Sequence, residues 1–147
     1  MNNIIMQLCS PGSPFSKDLG LLFLRLGFGL LCLKYGFYHL KAGKQTWHWL
    51  GAQIDFLGIT FMPICWGFVA AATEFWGGLC CIIGFKTRFA TAFLSVIMFI
   101  ALIMHVRKKD NFNNICLPLT FLIALISIGI AGAGRFSIDY LLIKMWC

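Results

Sequence analysis

The chain of 147 residues is 60% hydrophobic and 12% charged, with a mean hydropathy of +0.85. A soluble domain of this size cannot bury so much apolar surface in one core, so the composition excludes an ordinary soluble protein. The formal net charge of +7 comes from Lys and Arg residues spread over several short loops, which excludes a continuous nucleic-acid-binding face and favours anionic lipid head groups as partners.

Four apolar stretches predict membrane-spanning helices near residues 19–40, 63–85, 89–106 and 115–131. Each has the length and composition of a span. The second begins at Pro63, which suits the first turn of a helix because that position needs no amide hydrogen. Short connections after the second and third spans place neighbouring helices antiparallel. The predicted fold is therefore all-α, an antiparallel bundle of four transmembrane helices.

The predicted membrane domain covers residues 19–140, between an N-terminal cytoplasmic segment (1–18) and a C-terminal tail (141–147). A connector follows the first span, and its residues Trp47 and Trp49 suit either a belt at head-group level or a roof over the bundle. An even number of spans puts both termini on one side. Basic residues are divided equally between the two sides, so charge alone gives no orientation.

Histidine and cysteine residues do not form a metal-ligand pattern in this chain. The seven cysteines include no C-x-x-C spacing, so neither a disulfide framework nor a metal site is predicted. Cys32, Cys80 and Cys81 fall inside predicted spans, where a thiol usually packs as a small apolar group. Two histidines near span ends, His39 and His105, are too few for a metal or haem site, although they can meet at the same membrane side.

Arg25 and Glu74 are ionisable residues within the predicted spans. A charge at bilayer depth costs about 2.5–3.5 kcal/mol on insertion scales, so each needs a partner or a wet cavity. Counted from the predicted span ends, Arg25 lies about 9 Å deep and Glu74 about 16 Å deep, a gap that an Arg side chain can bridge. We therefore predict that these two side chains pair between the first and second helices.

Small residues share the helix faces that carry these two charges. Such stripes allow membrane helices to approach closely. The predicted packing residues are Gly29 and Gly36 on the first helix, and Gly77 and Gly78 on the second.

Two interpretations of the charged residues are open. They can form a buried ion pair that fixes helix register, or they can line a polar pocket in which Glu74 handles a proton or binds a polar head group. The predicted pocket residues are Arg25, His39, Trp47, Glu74 and His105. No catalytic residue and no intrinsic cofactor are predicted, and a quinone or a lipid is the expected ligand.

These residues resemble the DoxX family over about residues 22–139. LFLRLGFGLLCLKYGFYHL resembles the family's opening Arg followed by H-G-x-x-K-L, with Tyr35 at the usual His and His39 at the usual Lys. GKQTWHWLG is similar to G-x-x-x-W-x-x-L-G. The most specific stretch, A-x-x-E-x-x-G-G followed by G-x-x-T-R, includes Glu74 and Arg88, and GAGRFSID fits the closing G-x-G-x-x-S-x-D.

The resemblance implies a four-helix protein of the bacterial cytoplasmic membrane with both termini in the cytoplasm. Family members have been linked to oxidoreductase assemblies, including thiosulfate:quinone oxidoreductase subunits. The leading hypothesis is therefore a membrane subunit of a redox or quinone-linked complex, with membrane or peripheral redox proteins as partners. The alternative is a non-catalytic assembly factor or scaffold that presents its small-residue faces to other helices. A homodimer is compatible with either hypothesis.

Overall fold

The computed structural model describes residues 14–146 of the chain. The first thirteen residues of the predicted N-terminal segment, and Cys147, lie outside the described residues. Within the described range the protein is helical and contains no strand. The helices are α1 (Pro14–Ala42), α2 (Lys44–Gly51), a 3-10 helix (Ala52–Leu57), α3 (Pro63–Ile83), α4 (Thr87–Arg107), α5 (Phe112–Ala131) and α6 (Ile138–Trp146).

Helices α1, α3, α4 and α5 are long and apolar enough to cross a membrane, which confirms the predicted fold class and a multi-pass membrane protein. Helix α1 packs mainly on α3, and α4 mainly on α5, while contacts between these two pairs are fewer. The bundle therefore consists of two tightly packed helix pairs with looser packing between them.

The predicted span ends lie within three residues of the helix ends, except at the start of α1, which lies five residues earlier. Helix α1 begins at Pro14 rather than near Leu19, because proline fits a first turn and does not prevent a helix from starting there. Helix α3 ends at Ile83. Gly84 adopts φ 70° and donates its N–H to the carbonyl oxygen of Cys80, a left-handed helix cap that glycine adopts without strain.

The connector between the first two spans is helical, which the sequence analysis did not predict. We call residues 44–57, comprising α2 and the 3-10 helix, the roof segment. It packs directly on the backbone of α3: a Cβ at Gly51 would collide with the carbonyl oxygen of Pro63, and a Cβ at Gly67 with the carbonyl oxygen of Trp47. Two glycines thus let the roof segment lie against the start of α3.

The opposite end of the bundle is closed by the residues around α6. The carboxylate of Asp139 accepts hydrogen bonds from the backbone N–H groups of Lys86 (2.7 Å) and Thr87 (3.0 Å) at the start of α4. Asp18 accepts one from the N–H of Arg135 (3.1 Å). Helix α6 crosses the predicted boundary at residue 140, so the predicted tail continues a helix that begins inside the membrane domain.

The core lies between the helix pairs and is made of small and aliphatic side chains together with Met98 and Phe121. Cys32 and Cys81 are buried in it with Leu94 and Leu125, and the described cysteines are free thiols. Many large apolar side chains on the outer faces of the four long helices are exposed. That pattern is expected where lipid, and not water, covers the surface.

Candidate functional site

The contact between α1 and α3 sets which residues can meet in the bundle. A Cβ on Gly29 would lie 3.0 Å from the carbonyl oxygen of Gly78, and a Cβ on Gly36 would collide with the backbone of Phe75. These glycines therefore allow the two backbones to touch. Gly77 faces α4 instead, where a Cβ would lie 2.9 Å from the side chain of Leu94.

This register separates Arg25 from Glu74. Gly36 lies level with the α3 turn that carries Glu74, and Arg25 lies eleven residues earlier on α1, or about 16 Å along the helix at 1.5 Å per residue. The predicted Arg25–Glu74 pair was therefore wrong. Depths counted from predicted span ends cannot give the register that close backbone contacts impose.

Arg25 lies instead at the end of the bundle closed by α6. Its side chain is 0% exposed, and its Nη2 donates to the carbonyl oxygen of Phe136 at 2.6 Å. A Cβ on Gly84 would collide with Nη1 of this guanidinium, so Gly84 is also needed to make room for it. The Nε and Nη1 atoms have no hydrogen-bond partner among the described residues.

Glu74 pairs with His39. The distance from His39 Nδ1 to Glu74 Oε2 is 2.7 Å, and the Glu74 side chain is only 5% exposed. A hydrogen bond of this length holds one proton between the imidazole and the carboxylate, whichever of the two carries it formally. No other hydrogen bond to this carboxylate, or to the second ring nitrogen of His39, occurs among the described residues.

A cavity of about 450 Å³ lies beside this pair, between the two helix pairs and beneath the roof segment. We call it the main cavity. Its walls are mostly apolar. The polar side chains on them are Tyr35, His39, Gln53, Thr73, Glu74 and His105.

The main cavity is open to the outer surface of the bundle, since several side chains that line it are exposed. Val69 on α3, and Phe93 and Val96 on α4, line the cavity and are also exposed. Because the outer faces of these helices lie at bilayer depth, this opening faces lipid and not water. A molecule dissolved in the bilayer can therefore reach the His39–Glu74 pair laterally.

The remaining predicted pocket residues occupy different places. His105 lines the main cavity but pairs with Asp110, at 2.6 Å between Nδ1 and Oδ2, and not with His39. Trp47 does not line the cavity. Its indole N–H donates to the backbone carbonyl of His39 at 2.9 Å, so Trp47 helps to fix the position of the His39 backbone. Trp49 takes the position on the cavity wall.

Gln53 is a polar cavity residue that the sequence pattern does not predict. It is 9% exposed, and its Nε2 has no hydrogen-bond partner among the described residues. The sequence predicts a connector here, and a glutamine in a connector is ordinarily solvated. The only sequence signal for burial of Gln53 is its position two residues after Gly51, a glycine that contacts α3. That signal is weak on its own.

A resident metal ion finds no ligand set in the described part of the chain, since no three His, Cys, Asp or Glu side chains are grouped closely enough to hold one. The site is thus a lipid-accessible cavity with one buried histidine–carboxylate pair, one partly exposed pair and one free amide donor. Such a site can bind a ring or head group that carries hydrogen-bonding oxygens, and it can exchange a proton with it.

Comparison with known proteins identifies a family. The DoxX family model matches residues 20–106, which include α1 from its second turn, the roof segment, α3 and most of α4. The His39–Glu74 pair, His105 and Gln53 all fall within this range. No curated protein and no solved structure matches the chain.

Proposed function

The chain belongs to the DoxX family, and from this premise we propose that it is the membrane subunit of a quinone-linked redox complex and binds a quinone-type head group in the main cavity. The observation that carries the proposal is the buried His39–Glu74 pair on the wall of a cavity that opens to lipid. Quinones are dissolved in the bilayer and reach such a site from the side.

The polar groups of the cavity suit a quinone ring. A quinone carbonyl oxygen accepts hydrogen bonds, and the unpartnered Nε2 of Gln53 is a donor without an acceptor. The second ring nitrogen of His39 is able to donate as well when the imidazole is protonated. The mainly apolar walls leave room for the ring and the first part of its tail.

The chain's own part in the chemistry is proton transfer. Reduction of a quinone to a quinol takes two electrons and two protons, and the proton held between His39 and Glu74 is in position to be one of them. Electrons have to come from a partner redox protein or its cofactor, since ordinary side chains do not supply them. A redox partner, peripheral or in the membrane, is therefore part of the proposal.

The scaffold alternative receives less support from the packing. It requires small-residue faces that are free to contact other proteins. Gly29, Gly36 and Gly78 are buried in the α1–α3 contact, and Gly77 against α4. These faces are used inside the bundle.

The proposal is tested by the Glu74→Gln variant. Glutamine keeps the shape of the side chain but cannot take up or release the proton. We expect the variant to fold and to bind a short-chain quinone at least 10-fold more weakly, a loss of about 1.4 kcal/mol. Binding to detergent-solubilised protein is followed through quenching of tryptophan fluorescence, because Trp49 and Trp66 line the cavity.

The matched control is Asp55→Asn, which removes an exposed carboxylate that does not line the main cavity. This variant should bind the quinone like the unmodified protein. Equal binding by the Glu74→Gln variant and by the control, or no quinone binding by the unmodified protein, would reject the proposed function.

A further inference from the structure

A second, smaller cavity lies where the roof segment meets the end of α4. Its volume is about 300 Å³, and we call it the surface cavity. It shares Trp49, Gln53 and Met104 with the main cavity, so the two are neighbours across one wall. The remaining lining residues are Ala52, Asp55, Phe56, Arg107 and Lys108.

The surface cavity lies at the level of lipid head groups. Helix α4 has 21 residues and is therefore about 32 Å long, close to the thickness of the hydrocarbon core. Arg107 is its last residue and Lys108 follows directly. Basic side chains at such a position are where an anionic leaflet attracts protein most strongly.

Aromatic rings of the roof segment hold both cations in place. The Arg107 guanidinium lies 5.7 Å from the ring centre of Phe56, and the Lys108 ammonium lies 5.5 Å from that of Trp49. Neither cation has an ion-pair partner in the part of the chain described. A ring face orients a cation without neutralising it, so the positive charge of both side chains is available to an anion.

The third donor is Gln53, whose unpartnered Nε2 is almost fully buried in the wall shared by both cavities. A buried N–H group without an acceptor is costly, and proteins rarely leave one unless a water or ligand completes it. Two cations and one amide donor on the wall of one cavity call for an acceptor with several oxygens and negative charge.

We propose that the surface cavity binds the phosphate group of an anionic phospholipid from the adjacent leaflet. The phosphate oxygens accept from Arg107, Lys108 and Gln53, and the acyl chains lie along the exposed apolar surface of the neighbouring helices. The bound lipid joins the roof segment to the end of α4. Asp55 opposes binding, because its carboxylate lies on the same wall. Gln53 lines both cavities, so its amide donates to one ligand at a time; Arg107 and Lys108 line only the surface cavity, which keeps the lipid test separate from the quinone test.

The test compares lipid binding by native mass spectrometry of the full chain in detergent, titrated with phosphatidylglycerol or phosphatidylcholine of equal chain length. We expect tighter binding of phosphatidylglycerol. The double variant Arg107→Gln/Lys108→Gln should bind it about 10- to 30-fold more weakly, at roughly fivefold for each lost cation.

The matched control is Lys41→Gln/Lys44→Gln, which removes the same charge at the same end of the bundle but from residues that line neither cavity. It should keep the preference for phosphatidylglycerol. An equal loss in both double variants, or equal binding of the two lipids by the unmodified protein, would overturn the proposal.

A second measurement separates a binding defect from a folding defect. Gln53→Leu removes the unpartnered donor with little change of volume, so without lipid its melting temperature should equal or exceed that of the unmodified protein. Its rise in melting temperature on adding phosphatidylglycerol should be smaller, and that of Asp55→Asn larger. An unchanged rise in Gln53→Leu, or the same rise with inorganic phosphate alone, would contradict a lipid site.

Discussion

At the scale of single residues, the two most buried charged side chains that the structure describes, Arg25 and Glu74, have different surroundings. Arg25 has one backbone acceptor, whereas Glu74 has one imidazole partner and an otherwise free carboxylate beside a cavity. Nε and Nη1 of Arg25 have no partner among the described residues either, but Arg25 lines neither cavity, so its role is structural. A carboxylate with spare acceptor positions at a cavity wall is able to respond to what enters the cavity.

The contribution of the His39–Glu74 pair to stability is open to a direct test. His39→Ala leaves the Glu74 carboxyl group buried without a partner, so we expect the free energy of unfolding to fall by about 1–3 kcal/mol. Glu74→Leu in the His39→Ala background should recover part of this loss, because the orphaned polar group is then removed. Denaturation of the solubilised protein, by heat or by SDS, measures both effects.

His48→Ala is the control for this prediction, since His48 is an exposed histidine on the roof segment. Its replacement should change the free energy of unfolding by less than about 0.5 kcal/mol. If His39→Ala and His48→Ala lowered the free energy of unfolding equally, the hydrogen bond between His39 and Glu74 would not contribute to stability as predicted.

At the scale of helices, close contacts between backbones determine how the bundle is assembled. Helix α1 touches α3 through glycines, and α2 touches α3 in the same way. Three helical segments are thereby locked into one unit, which holds His39 and Glu74 on one wall of the main cavity. The α4–α5 pair provides the other wall.

Two glycine substitutions on α1 distinguish the effect of the α1–α3 backbone contact on stability from the effect of helix propensity. Gly36→Ala places a methyl group against the backbone of Phe75, where neither chain can move easily, so we expect a loss of about 1–3 kcal/mol in stability. Gly27→Ala meets no atom within 4 Å and should stabilise the helix by up to about 1 kcal/mol. Thermal denaturation of the two variants should therefore shift in opposite directions, and shifts of the same sign would contradict this register.

The span pattern could be predicted from the sequence because it depends on composition over some twenty residues. The stripe of Gly29 and Gly36 likewise indicated the packing face of α1. The partner of Arg25 could not be predicted, because its acceptor is a backbone carbonyl 111 positions away and every residue carries a carbonyl. The roof segment escaped prediction because its α-helix, α2, has only the eight residues KQTWHWLG, and a run this short gives little helical signal.

At the scale of the whole molecule, the two ends of the bundle are built differently. The end at which α1 begins and α6 lies is closed by hydrogen bonds to Asp18 and Asp139 and by the buried Arg25. The other end carries the roof segment and both cavities. Any ligand-dependent change of shape should therefore concentrate at the roof end.

Reporter fusions expressed in bacterial cells can show on which side of the membrane the roof end of the bundle lies. We expect both termini in the cytoplasm, with the roof segment and the turn at residues 108–111 on the opposite side. A reporter that is active only in the cytoplasm should work when fused after Cys147 and fail when inserted in that turn. The reverse pattern would place both cavities on the cytoplasmic side.

The bond between Arg25 and Phe136 also bears on how the protein is made. Translation proceeds from the N-terminus at about 5–20 residues per second, so the 111 positions between donor and acceptor correspond to a delay of about 6–22 s. During that interval the guanidinium has entered the bilayer and its acceptor does not yet exist. The insertion machinery, or water drawn in beside α1, has to shield the guanidinium until Phe136 is delivered, so the end of the bundle that holds Arg25 closes only after the four long helices have been made.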